Sequence, residues 1–264
     1  MGKNNFNQPQ MFALMKKIIV LLSIAVILLH PSCSKFDRNE TQLNNGKSGS
    51  ITTFAVVGAY LYSLNKPNLE VYSLADKAHP QKLNSIVVGN NIETVFSYLN
   101  KLYIGASDGI FIVDISNPVQ PIVQGGATHF YGCDPVVAKD NYAYSTVRSG
   151  RTCNNNTAFS SLLIVYDVSN PYYPQEVAQI NMQSPAGLGY DGNYLFVCDG
   201  LNGIIVFDIT QPDHPQQINH IPNVNAYDLI TNNGVLIVSA GDSYQFYSYT
   251  DINHIIKLSQ VNKN

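Results

Sequence analysis

Short apolar stretches recur along the chain, and each closes on a polar residue followed by a turn bounded by prolines. The phrase reads IFIVDISNPVQP at Ile110–Pro121, LIVYDVSNPYYP at Leu163–Pro174 and IIVFDITQPDHP at Ile204–Pro215. A weaker copy, LEVYSLADKAHP, occupies Leu69–Pro80, and a decayed one, QFYSYTDINH, occupies Gln245–His254. Anchored on the polar residue, Ser73 to Asp114 and Asp167 to Asp208 are each 41 residues, Asp208 to Thr250 is 42, and Asp114 to Asp167 is 53. The third unit therefore carries an insertion of about twelve residues, and such a period marks units that bury their apolar faces only by stacking on one another. Around each phrase the pattern predicts four short strands. In the second unit these are Glu93–Tyr98, Lys101–Ala106, Gly109–Ile115 and Pro121–Gly125. In the fourth they are Ala186–Tyr190, Tyr194–Cys198, Gly203–Ile209 and Gln216–Ile221. Ser107-Asp108-Gly109 supplies a hairpin turn, with glycine at the position that needs positive φ. VFDIT and IVDIS are nearly continuous apolar runs, as strands covered on both faces require.

Five such units fit between Ile51 and Val261. The expectation is an all-β chain forming a β-propeller of five four-stranded blades over residues 51–264. A β-solenoid is the alternative, although its period is normally shorter. The segments GIFIVDISNP, LLIVYDVSNP and GIIVFDITQP resemble the LVIVD repeat, and the resemblance runs from about Ala59 to the C-terminus with degenerate first and last copies. Such repeats are similar to propeller blades of bacterial secreted and surface proteins. The resemblance implies a propeller and implies no catalytic residues.

Composition narrows the picture. The net charge of −3 over 264 residues gives no footprint for nucleic acid, which calls for a basic face. Seventeen tyrosines, no tryptophan and only 12% charged residues suit pleated strands joined by tight turns. Before the repeats, Met15–Ser32 reads MKKIIVLLSIAVILLHPS: two lysines, then an apolar run at Ile18–Leu29 too short to span a bilayer comfortably. This is the pattern of a secretory signal peptide, with residues 1–14 a possible upstream extension. Cys33 follows a small residue at once, which resembles a bacterial lipoprotein signal whose cysteine is lipidated. An ordinary signal peptide and an uncleaved anchor are the alternatives. Residues 33–50 read as a lipidated cysteine and a polar flexible tether, and Lys35, Asp37 and Glu40 resemble surface-export signals of Bacteroidetes lipoproteins. The expected location is the cell envelope, as an outer-membrane lipoprotein facing the surface or the periplasm, with the membrane engaged through the lipid.

Candidate chemistry is sparse. Asp114, Asp167 and Asp208 stand at repeat spacing; they either ring a channel as cation ligands or hold their own turns by accepting backbone N–H bonds, and the turn role is the better reading. The third unit departs most from the repeat, and irregular loops on a repeat scaffold are where function concentrates. Within it Cys133 and Cys153 are expected to form a disulfide in an oxidising compartment, against two reduced thiols. His129, Tyr131, Asp134, Arg148 and Arg151 flank them as possible ligands for an anionic or sugar group, against a loop whose charges serve its own backbone. Cys198 reads as a buried free thiol. Asp191-Gly192-Asn193 and Asp199-Gly200 fall at hairpin turns and lack the ligand run of a calcium loop. The sequence contains no HExxH and no P-loop. The reading is a non-enzymatic, monomeric binding or scaffold propeller without cofactor or metal, engaging an envelope protein or a glycan. The alternative is an extracytoplasmic hydrolase or lyase with its site in the channel.

Overall fold

In the computed structural model the described residues are 50–128, 135–150, 152–153, 156–157 and 160–263. The chain divides into two units, Met1–Thr41 and Gln42–Asn264, and the described residues all belong to the second. They form five antiparallel four-stranded sheets. Blade 1 is β1 (Phe54–Val57), β2 (Tyr60–Asn65), β3 (Asn68–Ser73) and β4 (Gln81–Val87). Blade 2 is β5 (Ile92–Tyr98), β6 (Lys101–Ala106), β7 (Gly109–Asp114) and β8 (Ile122–Thr128). Blade 3 begins with β9 (Val136–Lys139) and β10 (Tyr142–Val147), is interrupted by the two-residue strands β11 (Thr152–Cys153) and β12 (Asn156–Thr157), and resumes with β13 (Leu162–Asp167) and β14 (Gln175–Asn181). Blade 4 is β15 (Leu188–Asp191), β16 (Tyr194–Cys198), β17 (Ile204–Asp208) and β18 (Gln216–Ile221). Blade 5 is β19 (Ala226–Asn232), β20 (Val235–Ala240), β21 (Ser243–Ser248) and β22 (Ile256–Asn262). Within each sheet the strands run in chain order, and β11 pairs with β12 as a separate hairpin. The expected propeller of five four-stranded blades is the fold observed.

The second and third strands of blades 2, 3 and 4 are apolar on both faces because each of these sheets is covered on two sides. One face of a blade meets the preceding blade and the other meets the following blade; we call these the leading and trailing faces. The apolar clusters join blade 1 to blade 2, blades 2, 3 and 4 to one another, and blade 4 to blade 5. On the trailing face of blade 2, Tyr103, Ile110 and Ile112 are at most 2% exposed and pack with Val136 and Val137 of blade 3. The same register positions in blade 4, Phe196, Ile204 and Val206, are wholly buried against Leu229, Leu236 and Val238 of blade 5.

A second device joins consecutive blades at the rim. The outermost strands of blades 1, 2, 3 and 4 each carry a bulge against the strand inside them. At the bulge of blade 1, Asn84 donates its amide to the carbonyl of Val119 in the proline turn of blade 2 (2.8 Å), and Asn219 of blade 4 does the same to Ile252 of blade 5 (2.6 Å). Gly125 of blade 2 sits so close to the turn of blade 3 that a Cβ there would lie 2.6 Å from the Pro171 carbonyl oxygen. An amide donor or a bare backbone thus lets the turns of blades 2, 3 and 5 rest on the blade before them.

The fifth copy needs one correction. The expectation aligned Thr250 with the repeated aspartate, but Ser248 pairs with Val235 as Asp114 pairs with Lys101. Tyr249 N–H then bonds the Gly234 carbonyl as Ile115 N–H bonds that of Asn100. The decayed phrase offered Thr250-Asp251 as the more polar pair, whereas backbone pairing places Ser248 at the turn.

Truncating Ile112, wholly buried at the junction of blades 2 and 3, is expected to cost about 2–5 kcal/mol. Denaturant unfolding of Ile112→Ala should show a lowered midpoint, and an unchanged midpoint would contradict the placement of the core between blades.

Candidate functional site

Antiparallel blades send their connections to two ends. At one end lie the turns between first and second strands and the proline turns; at the other lie the connections between second and third strands and those that lead into the next blade. Bonds knit the latter pair together: Ser107 N–H to the Asn91 carbonyl (3.0 Å), Thr146 N–H to that of Pro135 (3.3 Å) and Ala226 N–H to that of Gly200 (3.1 Å).

The repeated aspartates stand at the first end, one each in blades 2, 3 and 4. Asp114 Oδ1 accepts from Ser116 N–H (2.7 Å), Asp167 Oδ1 from Ser169 N–H (2.8 Å) and Asp208 Oδ1 from Thr210 N–H (2.8 Å). The residue after each aspartate, Ile115, Val168 or Ile209, is buried in the core. Burial would raise the Asp114 carboxyl, yet the bonds from Ser116 hold it below its ordinary range. The hydroxyl and N–H of Thr210 lower that of Asp208. Each carboxylate turns the backbone beside it, and among the described residues no three metal-ligating side chains come together.

The third unit's departures fall at the second end. The insertion, 148–161, joins β10 to β13, where blade 2 has only Ser107 and Asp108. Arg148 is half-buried at its start, and Ser149 N–H is held by Ser161 Oγ (3.2 Å). Pro135, which ends the connection from blade 2, receives both Thr146 N–H and the Ser145 hydroxyl (3.0 Å). The structure therefore brings the end of the 129–134 connection and the start of the insertion to one end of blade 3. His129, Tyr131, Cys133, Asp134 and Arg151 lie outside the described residues, as do Cys33 and the side chain of Cys153.

Around the axis the structure adds residues that the sequence reading missed. By register, Thr53, Thr94, Pro135, Gly187 and Asp228 are one ring of equivalent positions at this same end of the innermost strands. The chain enters blade 1 across the axis. Thr52 exchanges bonds with Val95 of β5, donating its hydroxyl (3.1 Å) and accepting the Val95 N–H (2.8 Å). Two residues earlier, the fully buried Ser50 accepts Leu188 N–H from β15 (2.8 Å) and lies 3.5 Å from Asp228 Oδ1 of β19. The Asp228 carboxylate is capped by the hydroxyl and N–H of Ser50 and by the N–H groups of Ile51 and Leu229. Gly187 permits this approach, since a Cβ there would meet Asp228 Oδ1 at 2.1 Å. Burial pushes the Asp228 carboxyl up to about 6 and outweighs the bonds that oppose it. Next to it Cys198 is a buried free thiol whose ionisation is suppressed by burial, then by Asp228 and Asp199. Asp199 faces inward and holds the connection into blade 4, accepting Ser184 N–H (2.7 Å) and the Asn202 amide (2.7 Å). It is a turn anchor, as the hairpin reading of Asp199-Gly200 has it.

Residues 99–128, 158–182 and 190–220 match the LVIVD repeat, so the chain carries three LVIVD repeats. No curated protein matches it. Among solved structures, the computationally designed Ika8 protein superposes with a TM-score of 0.59 at 14% identity, over 81% of this chain and 62% of that one. A protein from Lactobacillus plantarum gives 0.59 at 17% identity, over 77% and 68%. PpgL, the periplasmic gluconolactonase of Pseudomonas aeruginosa, gives 0.58 at 11%, over 78% and 68%. The chain spans about two thirds of the length of these relatives, and the likeness is one of fold.

A carboxyl raised by folding makes the native state bind a proton that the unfolded chain has released. Its contribution is present below about pH 4 and is lost as the pH rises through about 6. A shift of that size amounts to at most about 3 kcal/mol. Melting midpoints taken from pH 4 to pH 7 should fall across this window in the wild type, and Asp228→Asn should flatten the slope. Parallel slopes in the two proteins would contradict the burial of this group.

Proposed function

We propose that the chain is an exported lipoprotein, tethered at the cell envelope through Cys33, whose propeller is a non-enzymatic binding or scaffold module. Its ligand is an envelope protein or glycan, engaged at the end of the propeller that carries the blade 3 insertion. One observation carries this reading. The described ends of the two irregular connections of blade 3, Pro135 and Arg148–Ser149, lie at one end of the propeller, while the regular aspartate turns occupy the other. A constant scaffold end and a variable loop end are how repeat folds present a recognition surface. The ring of equivalent positions around the axis points the same way. Its carboxylate, Asp228, is occupied by N–H groups of the chain itself, and the strand residues behind the ring, Val95, Val136, Leu188 and Leu229, are buried and apolar. The leader Met15–Ser32 and the polar stretch that follows Cys33 support the tether, since acyl chains contribute about 0.8 kcal/mol per buried methylene.

Cell fractionation tests the tether: Cys33→Ala should move the protein from the membrane to the soluble fraction, and retention would argue for an uncleaved anchor. Glycan-array and envelope-protein binding by the wild type should be lost or weakened about tenfold or more in Arg148→Ala. Equal binding by that variant would remove the insertion end from the site. Between the two connections a Cys133–Cys153 bridge is expected, contributing about 3 kcal/mol by closing a segment of about twenty residues. Intact mass and thiol labelling without reductant should find neither thiol free, and two labelled cysteines would exclude the bridge.

A further inference from the structure

Among the described residues the trailing face of blade 5 is left partly exposed. Its register positions equivalent to Tyr103, Ile110 and Ile112 of blade 2 are Ile237, Tyr244 and Phe246. They keep the apolar character of a junction, as does Ile230 beside them on β19. Their exposure differs from that of the inner blades. Tyr244 is 45% exposed where Ile110 is 1%, and Ile230, Ile237 and Phe246 are only half-buried. At the rim of this face Lys263 Nζ lies over the Tyr244 ring, 4.7 Å from its centroid. The opposite end of the series, the leading face of blade 1, is finished differently. Phe54 and Val56 are exposed near the axis, but Glu70 stands where blades 2, 3 and 4 have Phe111, Ile164 and Ile205. Lys82 (2.7 Å), Asn65 (2.9 Å) and Tyr72 all bond the Glu70 carboxylate and hold it well below the usual carboxylate range, the Lys82 bond most of all. The two end faces are therefore unlike: one carries an ion pair, the other is an uncapped half of a blade junction.

We propose that the trailing face of blade 5 is a self-association surface, on which a second copy of this chain seats its own blade 5 about a two-fold axis. Continuity with the junctions inside the chain selects the surface, since the same positions form the blade-to-blade interface in every earlier blade. The finish of blade 1 selects the arrangement. Head-to-tail stacking of blade 5 on another copy's blade 1 would take the half-exposed ammonium of Lys82, partner of the already buried Glu70, out of water, which is costly. Like-on-like pairing brings apolar side chains against apolar side chains, and a two-fold interface is self-complementary by construction. It packs sheet on sheet, as the faces of neighbouring blades already do. Pairing by this face makes the protein a dimer, against the expectation of a monomer, and leaves both insertion ends free.

Sedimentation velocity of the full chain in mild detergent, from about 1 to about 100 µM, tests the proposal. The wild type should reach twice the mass of one chain as concentration rises. Tyr244→Glu should weaken pairing about tenfold or more while its melting midpoint stays near the wild type. Because that variant leaves Cys33 intact, it separates pairing through blade 5 from two tethers sharing a micelle. Phe54→Glu, on the leading face of blade 1, should leave the dimer unchanged. A wild type that stays monomeric throughout overturns the proposal, as does a dimer that survives Tyr244→Glu; should that variant not fold, Ile237→Lys takes its place under the same readings. Loss of the dimer in Phe54→Glu overturns the two-fold arrangement in favour of head-to-tail stacking.

Discussion

The structure rests on apolar contact between the faces of consecutive blades. No blade is stable by itself, because a four-stranded sheet with two apolar faces leaves both in water. Burial contributes roughly 25 cal/mol per Å² of apolar surface, and almost all of it is gained at junctions, since the side chains of the second and third strands point at neighbouring sheets. This explains why the middle strands look featureless in sequence. Leu195, Phe196, Val197 and Cys198 alternate between the leading and trailing faces of blade 4, and all four are buried. The alternation of a half-exposed strand survives only on the outer strands, where β14 reads exposed and half-buried by turns.

Apolar faces alone leave the angle between blades loosely set, because sheets slide on one another. Polar contacts fix it. The proline turn of one blade rests on the outer bulge of the blade before it, through Asn84, Gly125 and Asn219. The repeated aspartate serves this contact indirectly: by holding its own Ser or Thr N–H it shapes the turn that reaches across. A carboxylate engaged in this way is structural, and its recurrence follows from the recurrence of the junction.

Much of this was legible in the chain because it is local. The aspartate, the turn and the strand before it lie within a dozen residues, so their chemistry shows as a phrase and its spacing as a period. The strands of blades 2 and 4 were placed to within three residues for that reason. Long-range features left no such mark. Ser50 and Asp228 are 178 residues apart, and each is unremarkable in its own segment; the visible trace was a carboxylate inside the apolar stretch Ala226–Ile230, at a position where blade 4 has glycine. The fifth copy misled because its phrase had decayed to Ser-Tyr-Thr-Asp, in which polarity alone does not locate the turn. The exposure of the trailing face of blade 5 was also beyond the sequence, since Ile237 and Phe246 read like junction residues and only the structure shows them half-buried.

The axis and the rim solve different problems. At the axis, the lead-in to blade 1 joins three blades that are distant in the chain: Thr52 bonds β5, and Ser50 bonds both β15 and β19. At the rim, among the described residues, no comparable bond ties blade 5 to blade 1 and none of the apolar clusters spans that pair. The ring is thus fastened at its centre by a few hydrogen bonds and left open along its outer sheet faces. A fastening of this kind costs less ordered surface than a fifth junction, and it depends on Asp228 reaching the backbone of Ser50 and Ile51. It also frees the two end faces to diverge. One became an ion-paired surface suited to water, and the other kept the composition of a junction.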